Sequence, residues 1–264
     1  MCAALACRKK VFVFTFDEEG KSRVEQFVEL LVSGITIIAF DIKQLMHEFK
    51  IETPHTMKFI DVGLVDTLVH AGRSTDLPQL LFTYTGEALS ETLADTAPQE
   101  FVTTVAAGLY VCVEPLQKEL KEQQQERIQE KIEEPLLPVL YEMETAGVKI
   151  DSKKIAGLGV DAEKEIDRLT KIIQSLAGRE FNVASPQQLA EILFDDLKIP
   201  SFGIKRGKNG LSTAAAELEK LQGQHEIIDY IFEYRELAKL RSTYIDALPQ
   251  LVAVDGRVHT TFLQ

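Results

Sequence analysis

The side chains whose types and spacing could do chemistry are concentrated in residues 234–251, YRELAKLRSTYIDALPQL. Arg235, Lys239 and Ser242 follow one another at spacings of four and three, so on a helix they share one face. The apolar residues of this segment form a second stripe on roughly the opposite side: Leu237, Leu240, Tyr244 and Leu248. A buried apolar stripe opposite exposed cationic and hydroxyl groups suits a helix that contacts phosphates. The alternative interpretation is a plain amphipathic helix with a solvated basic face.

A second group of cations lies in residues 201–212, SFGIKRGKNGLS, which contain three glycines and three basic residues. Glycine at this density predicts a loop between helices. The segment has neither the preceding strand nor the helix-opening Lys-Ser/Thr of a nucleotide-binding glycine loop. A phosphate-cradling nucleotide site is therefore not predicted here.

The net charge of the chain is −12, from 29 basic and 41 acidic residues, which argues against non-specific nucleic-acid binding by the chain as a whole. Residues 1–134 hold 13 basic and 22 acidic side chains, and residues 135–264 hold 16 and 19. Residues 198–241 hold 8 basic and 6 acidic side chains, a net charge of +2. If the chain contacts nucleic acid, we expect it to do so through residues 198–241.

The composition indicates a globular protein, with 45% hydrophobic and 27% charged residues. The longest apolar runs, such as residues 35–40, are too short to span a bilayer, and the N-terminus lacks the residue order of a secretory signal. The chain has three cysteines, Cys2, Cys7 and Cys112. They provide no disulfide framework, and none lies in a metal-ligand spacing. We expect a reducing, cytoplasmic compartment.

The first part of the chain alternates strands with helices. Strands are predicted over three segments rich in β-branched and aromatic residues: 10–16, 35–40 and 57–60. A helix is predicted over residues 21–34, Asp41 is expected to cap the helix after the second strand, and Asp61 opens the helical pattern after the third. Strand–helix–strand alternation predicts a parallel or mixed sheet.

The remainder of the chain is predicted to be helical. Residues 114–134 are almost entirely polar helix formers, which predicts an exposed connector helix that divides the chain. After Pro135 the pattern is helical and ends in a long helix from about residue 225 to about residue 248. One helix start is marked by Ser185 as N-cap, with Gln188 completing a capping box.

Five motifs follow one another between residues 135 and 264. They are PLLPVLYEMETAGVKID (135–151), GREFNVASPQQLAEILFDDLKIP (178–200), KRGKNGLSTAAAELEKL (205–221), YRELAKLRSTYIDALP (234–249) and GRVHTTFLQ (256–264). In this order and spacing they resemble the thumb of the family-A DNA polymerases, the bacterial DNA polymerase I group. The motifs extend over about half of the chain and are highly specific.

The resemblance implies that residues 135–264 form a mainly α-helical thumb with the start of the palm. A thumb of this family grips primer–template duplex across the minor groove, mostly through the sugar-phosphate backbone. The residues implied to contact DNA are Asn182, Ser185, Lys205, Arg206, Lys208, Ser212, Arg235, Lys239, Arg241, Ser242 and Tyr244. Arg241 stands where the family often has lysine, which keeps the charge. Leu263 stands where the family usually has asparagine, so no polar contact is expected from it.

The palm's carboxylate motifs and the fingers helix of this family are not found in the 264 residues. In the family those carboxylates hold two magnesium ions that activate the primer hydroxyl and stabilise the leaving pyrophosphate. The resemblance therefore implies a polymerase fragment that does not extend a primer by itself. It also implies no cofactor in this chain and magnesium in the complete enzyme.

In the same family a 3′–5′ exonuclease domain precedes the thumb, and its active form holds two metal ions with four carboxylates. Asp17 and Glu19 form a literal Asp-x-Glu, and Asp41 lies at the position of the second carboxylate motif. Only 24 residues separate Asp17 from Asp41, too few for the strands that an active domain needs. Gly108 and Tyr110 stand where the last carboxylates belong. We therefore expect Asp41 to be a vestigial metal candidate that acts as a helix cap, and Asp17 and Glu19 to be weak candidates.

The predicted organisation is α+β overall. Residues 1–113 form an α/β domain with a truncated, degenerate ribonuclease H-like exonuclease fold, residues 114–134 a linker helix, and residues 135–264 the thumb and the start of the palm. The predicted function is duplex binding within a DNA-directed DNA polymerase, a nucleotidyltransferase of DNA replication and repair. The protein is expected to be a monomer in the bacterial cytoplasm or nucleoid and to have no membrane partner. Two alternatives remain, an active two-metal 3′–5′ exonuclease and a non-enzymatic interaction protein on the same fold.

Overall fold

The computed structural model of the chain describes residues 2–7, 10–15, 21–70, 76–90, 92–207 and 210–264. Their contacts separate into an N-terminal unit, residues 1–147 with 260–264, and a helical unit, residues 148–259. The domain borders predicted near residues 113 and 134 both lie inside the N-terminal unit. Within the described ranges, no helix has the length and apolar character needed to cross a membrane.

The strands pair in twos. In the N-terminal unit β1 (Cys2–Cys7) is antiparallel to β2 (Lys10–Thr15), and β3 (Thr36–Ala39) is parallel to β4 (Lys58–Asp61). In the helical unit β5 (Val148–Lys149) is antiparallel to β8 (Arg257–Val258), and β6 (Arg206–Gly207) to β7 (Gly210–Leu211). Most of the described structure is therefore helical.

The N-terminal unit contains eight α-helices among its described residues. They are α1 (Lys21–Leu31), α2 (Ile42–Glu48), α3 (Val62–Val69), α4 (Leu77–Thr85), α5 (Thr92–Thr96), α6 (Pro98–Glu122), α7 (Glu126–Ile128) and α8 (Glu134–Ala146). A 3-10 helix at Pro54–Thr56 precedes β4, and a π-helix at Gln129–Glu133 joins α7 to α8.

The helical unit is built on a pair of long helices. Its helices are α9 (Ser152–Ala177), α10 (Pro186–Ala190), α11 (Ala215–Leu218) and α12 (Ile227–Leu240). Two π-helices at Glu191–Asp196 and Arg241–Ile245 extend α10 and α12, and 3-10 helices lie at Glu219–Leu221 and Leu248–Leu251. One continuous apolar core joins them, with Ile173, Leu189 and Ile228 fully buried.

The local predictions for the N-terminal unit are confirmed. The segment β3–α2–β4 is a parallel strand–helix–strand unit, as alternation predicts. Asp41 caps α2, because its carboxylate accepts a hydrogen bond from the Gln44 amide at 2.9 Å. Asp61 caps α3 by accepting from the amides of Gly63 and Leu64. The expected larger sheet is not formed among the described strands, since β2 pairs with β1 and not with β3.

The connector helix, predicted to be exposed, is partly buried in the structure. Residues 114–122 are the last turns of α6, a helix that begins at Pro98. Cys112, Leu116 and Leu120 recur every four residues and lie fully buried in the core of the N-terminal unit. The prediction of an exposed helix over residues 114–134 is wrong at Leu116 and Leu120, because these two apolar residues share one face of an otherwise polar sequence.

Candidate nucleic-acid interface

In the cationic loop of the helical unit, β6 and β7 pair as the strands of a short hairpin, whose described residues are 205–207 and 210–212. The Ser212 amide donates to the Lys205 carbonyl at 2.8 Å and closes the base of the hairpin. Ile204, the residue before it, is buried in the core. The Lys205 and Arg206 side chains are exposed, whereas the predicted contact residue Lys208 lies outside the described residues.

A buried carboxylate holds the strand that enters the hairpin. Glu217 on α11 is 4% exposed, and its Oε2 accepts from the Lys205 amide at 3.0 Å and from Lys220 Nζ at 2.7 Å. Lys220 Nζ also donates to the Gly203 carbonyl at 2.9 Å. The hydrogen bonds from Lys220 and from the Lys205 amide hold the pKa of Glu217 below its ordinary value. Glu217 therefore remains an anion at neutral pH.

A guanidinium holds the strand that leaves the hairpin. Arg235 on α12 donates to the carbonyl oxygen of buried Thr213 and, at 3.2 Å, to the Thr213 hydroxyl. Burial lowers the pKa of Arg235. The predicted exposed stripe of Arg235, Lys239 and Ser242 is therefore wrong in one respect. Arg235 is half-buried and already bonded, because its long side chain reaches a carbonyl 22 residues earlier in the chain.

The rest of the predicted stripe remains at the surface. Lys239 and Ser242 are exposed, and the Ser242 hydroxyl donates to the Lys239 carbonyl at 3.3 Å. Arg241 is partly buried and faces the carboxylates of Glu163 at 3.5 Å and Asp246 at 3.4 Å. Within the described parts of the chain, Lys205, Arg206 and Lys239 form no ion pair. Arg206 and Lys239 are therefore available to an anionic ligand, and so is Lys205, whose charge interacts with Glu217 without a direct ion-pair contact.

The predicted apolar stripe is only partly covered. Leu240 and Tyr244 are 46% and 54% exposed, so the prediction that the stripe is buried is wrong at these two positions. The π-helix Arg241–Ile245 adds a residue to the turn and ends the regular helical spacing. An apolar groove of about 420 Å³ lies within the helical unit. It is lined by Leu237, Leu240 and Tyr244 and by residues of α9 such as Leu158.

The predicted helix start at Ser185 is confirmed with one difference. The Ser185 hydroxyl accepts from the Gln188 amide at 3.4 Å, as an N-cap does. The Gln188 side chain does not complete the reciprocal capping box. It accepts instead from the Asn182 amide at 2.8 Å, while Asn182 Oδ1 accepts from the Ala184 amide at 3.0 Å. Asn182 and Ser185 therefore shape the turn before α10, with Asn182 at the surface.

The carboxylates of the N-terminal unit are held by backbone amides. Asp61 is 5% exposed, and it accepts from the amides of Ile42 at 2.7 Å, Gly63 at 3.0 Å and Leu64 at 3.2 Å. Burial raises the pKa of Asp61 more than these hydrogen bonds lower it, and the charge of Asp41 raises it further. Asp61 therefore does not fit a magnesium site, because amide hydrogens occupy both of its carboxylate oxygens, and Asp41 uses Oδ1 to cap α2.

The described part of the chain adds no further metal ligand to this pair. No group of three possible metal ligands occurs among the residues that the structure describes, and Asp17 and Glu19 lie outside them. Gly108 lies in α6 against α4, where an added Cβ would meet Leu81 Cδ2 at 2.7 Å. A carboxylate does not fit there without displacing Leu81, and Tyr110 is 46% exposed.

Sequence reasoning did not find a charged cluster of the N-terminal unit that is built around a buried carboxylate. Glu144 is 4% exposed and accepts three hydrogen bonds of 2.6 Å, from Lys43 Nζ, His47 Nε2 and the Phe262 amide. Lys43 also donates to the Phe262 carbonyl. Burial alone would raise the pKa of Glu144, but these hydrogen bonds lower it below its ordinary value. The cluster fixes residues 260–264 to the N-terminal unit.

The buried anchors of the hairpin were also missed. No function was predicted from the sequence for Thr213 or Glu217. The one signal was the spacing of Glu217 and Lys220, which places a carboxylate and an ammonium on the same helical face. The remaining partners, Lys205 and Arg235, are twelve or more residues away in sequence.

Comparisons with known proteins relate this chain to the family-A DNA polymerases. The profile of DNA polymerase family A matches residues 152–264. The chain is 42% identical over 166 residues to DNA polymerase I of Geobacillus stearothermophilus, covering 62% of this chain and 19% of that protein. It is 35% identical over 239 residues to DNA polymerase I of Caldicellulosiruptor bescii, covering 89% of this chain and 27% of that protein. The chain thus spans about a fifth to a quarter of these relatives.

A solved structure matches almost the whole chain. It is the POL domain of Pol1 from M. smegmatis in complex with DNA primer-template and dNTP. The TM-score is 0.78 at 26% sequence identity, and the match covers 96% of this chain and 44% of that chain. The match therefore includes both units of the chain.

Proposed function

The chain belongs to DNA polymerase family A, and on that premise we propose that its helical unit binds primer–template duplex DNA as the thumb of a polymerase I-type enzyme. The observation that carries the proposal is the exposure of three unpaired cations, Lys205 and Arg206 on the hairpin and Lys239 on α12. Such side chains contact phosphates and carry no sequence information. The matched Pol1 structure is itself a complex with primer-template.

The proposed contacts differ in their function. Lys205, Arg206 and Lys239 neutralise phosphates, and Lys208 adds a further cation from outside the described residues. Arg241 is proposed to contact the duplex through the guanidinium that faces Glu163 and Asp246. The uncharged residues proposed to contact sugar or phosphate at the surface of the duplex are Asn182, Ser185, Ser212, Ser242 and Tyr244. Because the chain has a net charge of −12, we expect binding to be weak, local and sensitive to salt.

The wider account is also a proposal. Residues 1–113 are a degenerate exonuclease-like domain, supported by the capping function of Asp41 and by the close approach of Leu81 to Gly108. Synthesis in DNA replication and repair requires magnesium at palm carboxylates of the complete enzyme. We propose a monomer that acts in the bacterial cytoplasm, with duplex DNA as its partner.

The test is the salt dependence of duplex binding by the full 264-residue chain. The double variant Lys205→Ala, Arg206→Ala removes two exposed cations and leaves the core side chains and the side chains that hold the hairpin backbone in place. The slope of log affinity against log salt should decrease by about 1–2, since each phosphate contact contributes about 0.9. Fluorescence anisotropy with a labelled primer–template measures the slope, and the decrease should be equal for unrelated sequences.

The matched control is Lys118→Ala, Lys121→Ala. It removes the same charge from the exposed face of α6 in the N-terminal unit. This variant should leave the slope almost unchanged. Equal weakening by the two double variants would mean that bulk charge alone governs binding, and the proposed interface would then be wrong.

A further inference from the structure

We propose that Glu217 and Arg235 are positioning residues, which hold the hairpin 205–212 so that Lys205 and Arg206 face the DNA. This inference rests on the proposed function and extends it to two side chains that do not contact the ligand. Glu217 acts on the strand that enters the hairpin, through the Lys205 amide. Arg235 acts on the residue that follows the hairpin, through the Thr213 carbonyl and hydroxyl. The hairpin is thus fixed at both ends of its base.

The two anchors come from different elements of the helical unit. Glu217 lies on α11, and Arg235 lies on α12, whose first turns are buried in the core through Ile227, Ile228 and Ile231. Lys220 strengthens the first anchor, because its ammonium bridges Glu217 and the Gly203 carbonyl. Fixing two points on separate rigid elements sets both the place and the direction of the hairpin.

The hairpin benefits from such anchors because its paired stretch is short. Among the described residues, two residues of each strand are paired and Leu211 packs against the core, whereas an isolated two-stranded hairpin is marginal in water. Gly203 and Gly210 have φ values of 79° and 116°, which are conformations that glycine adopts readily and other residues rarely do. Without anchors, the hairpin backbone would be fixed only when DNA binds, and the conformational entropy lost at that step would oppose association. Because the anchors fix the backbone before DNA binds, less conformational entropy is lost on binding.

Direct DNA contact does not explain either side chain. Glu217 has the wrong charge for a phosphate and is 4% exposed. Arg235 is half-buried, and turning it towards a ligand would break both of its hydrogen bonds to Thr213. Positioning is the function that their contacts support.

The decisive experiment uses the sign of the effect of Glu217→Ala on duplex affinity. Removing an acidic side chain near a cationic loop should strengthen DNA binding if electrostatics alone matters. Positioning predicts the opposite, a weaker affinity with a salt slope decreased by up to about 1–2 as the Lys205 and Arg206 contacts are lost. The matched control is Glu219→Ala, which removes the same charge from an exposed neighbour two residues away and should bind as well as or better than the wild type.

A second measurement separates positioning from general damage. Hydrogen–deuterium exchange of the segment 203–212 in the free full-length chain should be faster in Glu217→Ala and unchanged in Glu219→Ala, while the core around Ile228 keeps its protection. Glu217→Gln retains an oxygen acceptor for the Lys205 amide and should recover both protection and duplex affinity. If Glu217→Ala fails to fold, Glu217→Gln is compared with Glu217→Asp, which keeps the charge on a side chain one methylene shorter. Positioning predicts that the glutamine variant binds duplex more tightly than the aspartate variant, and equal binding would overturn it.

Failure of the positioning proposal can be distinguished from failure of the proposed DNA binding. If the wild-type chain does not bind duplex DNA, both proposals are wrong. If Lys205→Ala, Arg206→Ala weakens binding but Glu217→Ala binds as tightly as Glu219→Ala, the interface stands and the positioning function is wrong.

Discussion

Replacing Glu144 with alanine is expected to destabilise the N-terminal unit by about 3 kcal/mol, the size typical of breaking a buried ion pair. The carboxylate accepts three hydrogen bonds of 2.6 Å, and its removal leaves the Lys43 ammonium, 12% exposed, without its counter-charge. It also removes the acceptor of the Phe262 amide. Because a chain of two units need not unfold in one step, the loss should be measured by native-state hydrogen exchange in α2 and α8.

The control for this prediction is Glu142→Ala on the same helix. Glu142 is 53% exposed and faces His55 at 3.0 Å, also at the surface. Its removal deletes the same charge and should change stability by no more than about 0.5 kcal/mol. Equal losses for the two variants would mean that Glu144 is not the anchor of residues 260–264.

Replacing Asp61 with alanine is expected to destabilise the same unit by about 2–3 kcal/mol, since buried amides lose their acceptor. The amides of Ile42, Gly63 and Leu64 all donate to this carboxylate, so one side chain serves the starts of both α2 and α3. Native-state hydrogen exchange in α2 and α3 should show the loss. It should be equal in manganese and in a chelator, because amides and not a metal occupy the carboxylate.

The alternative exonuclease predicts a different pattern for Asp61. A metal ligand would make the wild type more stable in manganese, and Asp61→Ala would abolish that gain. Asp41→Ala provides the comparison, because it removes a single exposed cap and should cost only about 1 kcal/mol. Manganese-dependent stability that both substitutions abolish would restore the two-metal nuclease as the better account.

The features that the sequence predicts correctly depend on near neighbours. Asp41, Asp61 and Ser185 cap helices through amides two or three residues away, and the strand predicted at 10–16 appears as β2. The family resemblance also rests on contiguous motifs, and the comparisons confirm it. Information of this kind is contained in short windows of sequence.

The features that sequence reasoning missed depend on distant partners. Glu144 is 101 residues from Lys43 and 118 from Phe262, and Arg235 is 22 residues from Thr213. No periodicity within a window reveals such a pair. The predicted burial of the apolar stripe is wrong at Leu240 and Tyr244 for a different reason, because the π-helix that begins at Arg241 interrupts the 3.6-residue repeat on which the prediction was based.

The most direct test of the proposed interface is lysine acetylation of the full chain with and without primer–template duplex, followed by mass spectrometry. All four diagnostic side chains are exposed in the free protein: Lys118, Lys121, Lys205 and Lys239. Bound DNA should protect Lys205 and Lys239 and leave Lys118 and Lys121 as reactive as before, with protection fading as salt rises. Protection of Lys118 and Lys121 with no change at Lys205 and Lys239 would contradict DNA binding through the helical unit.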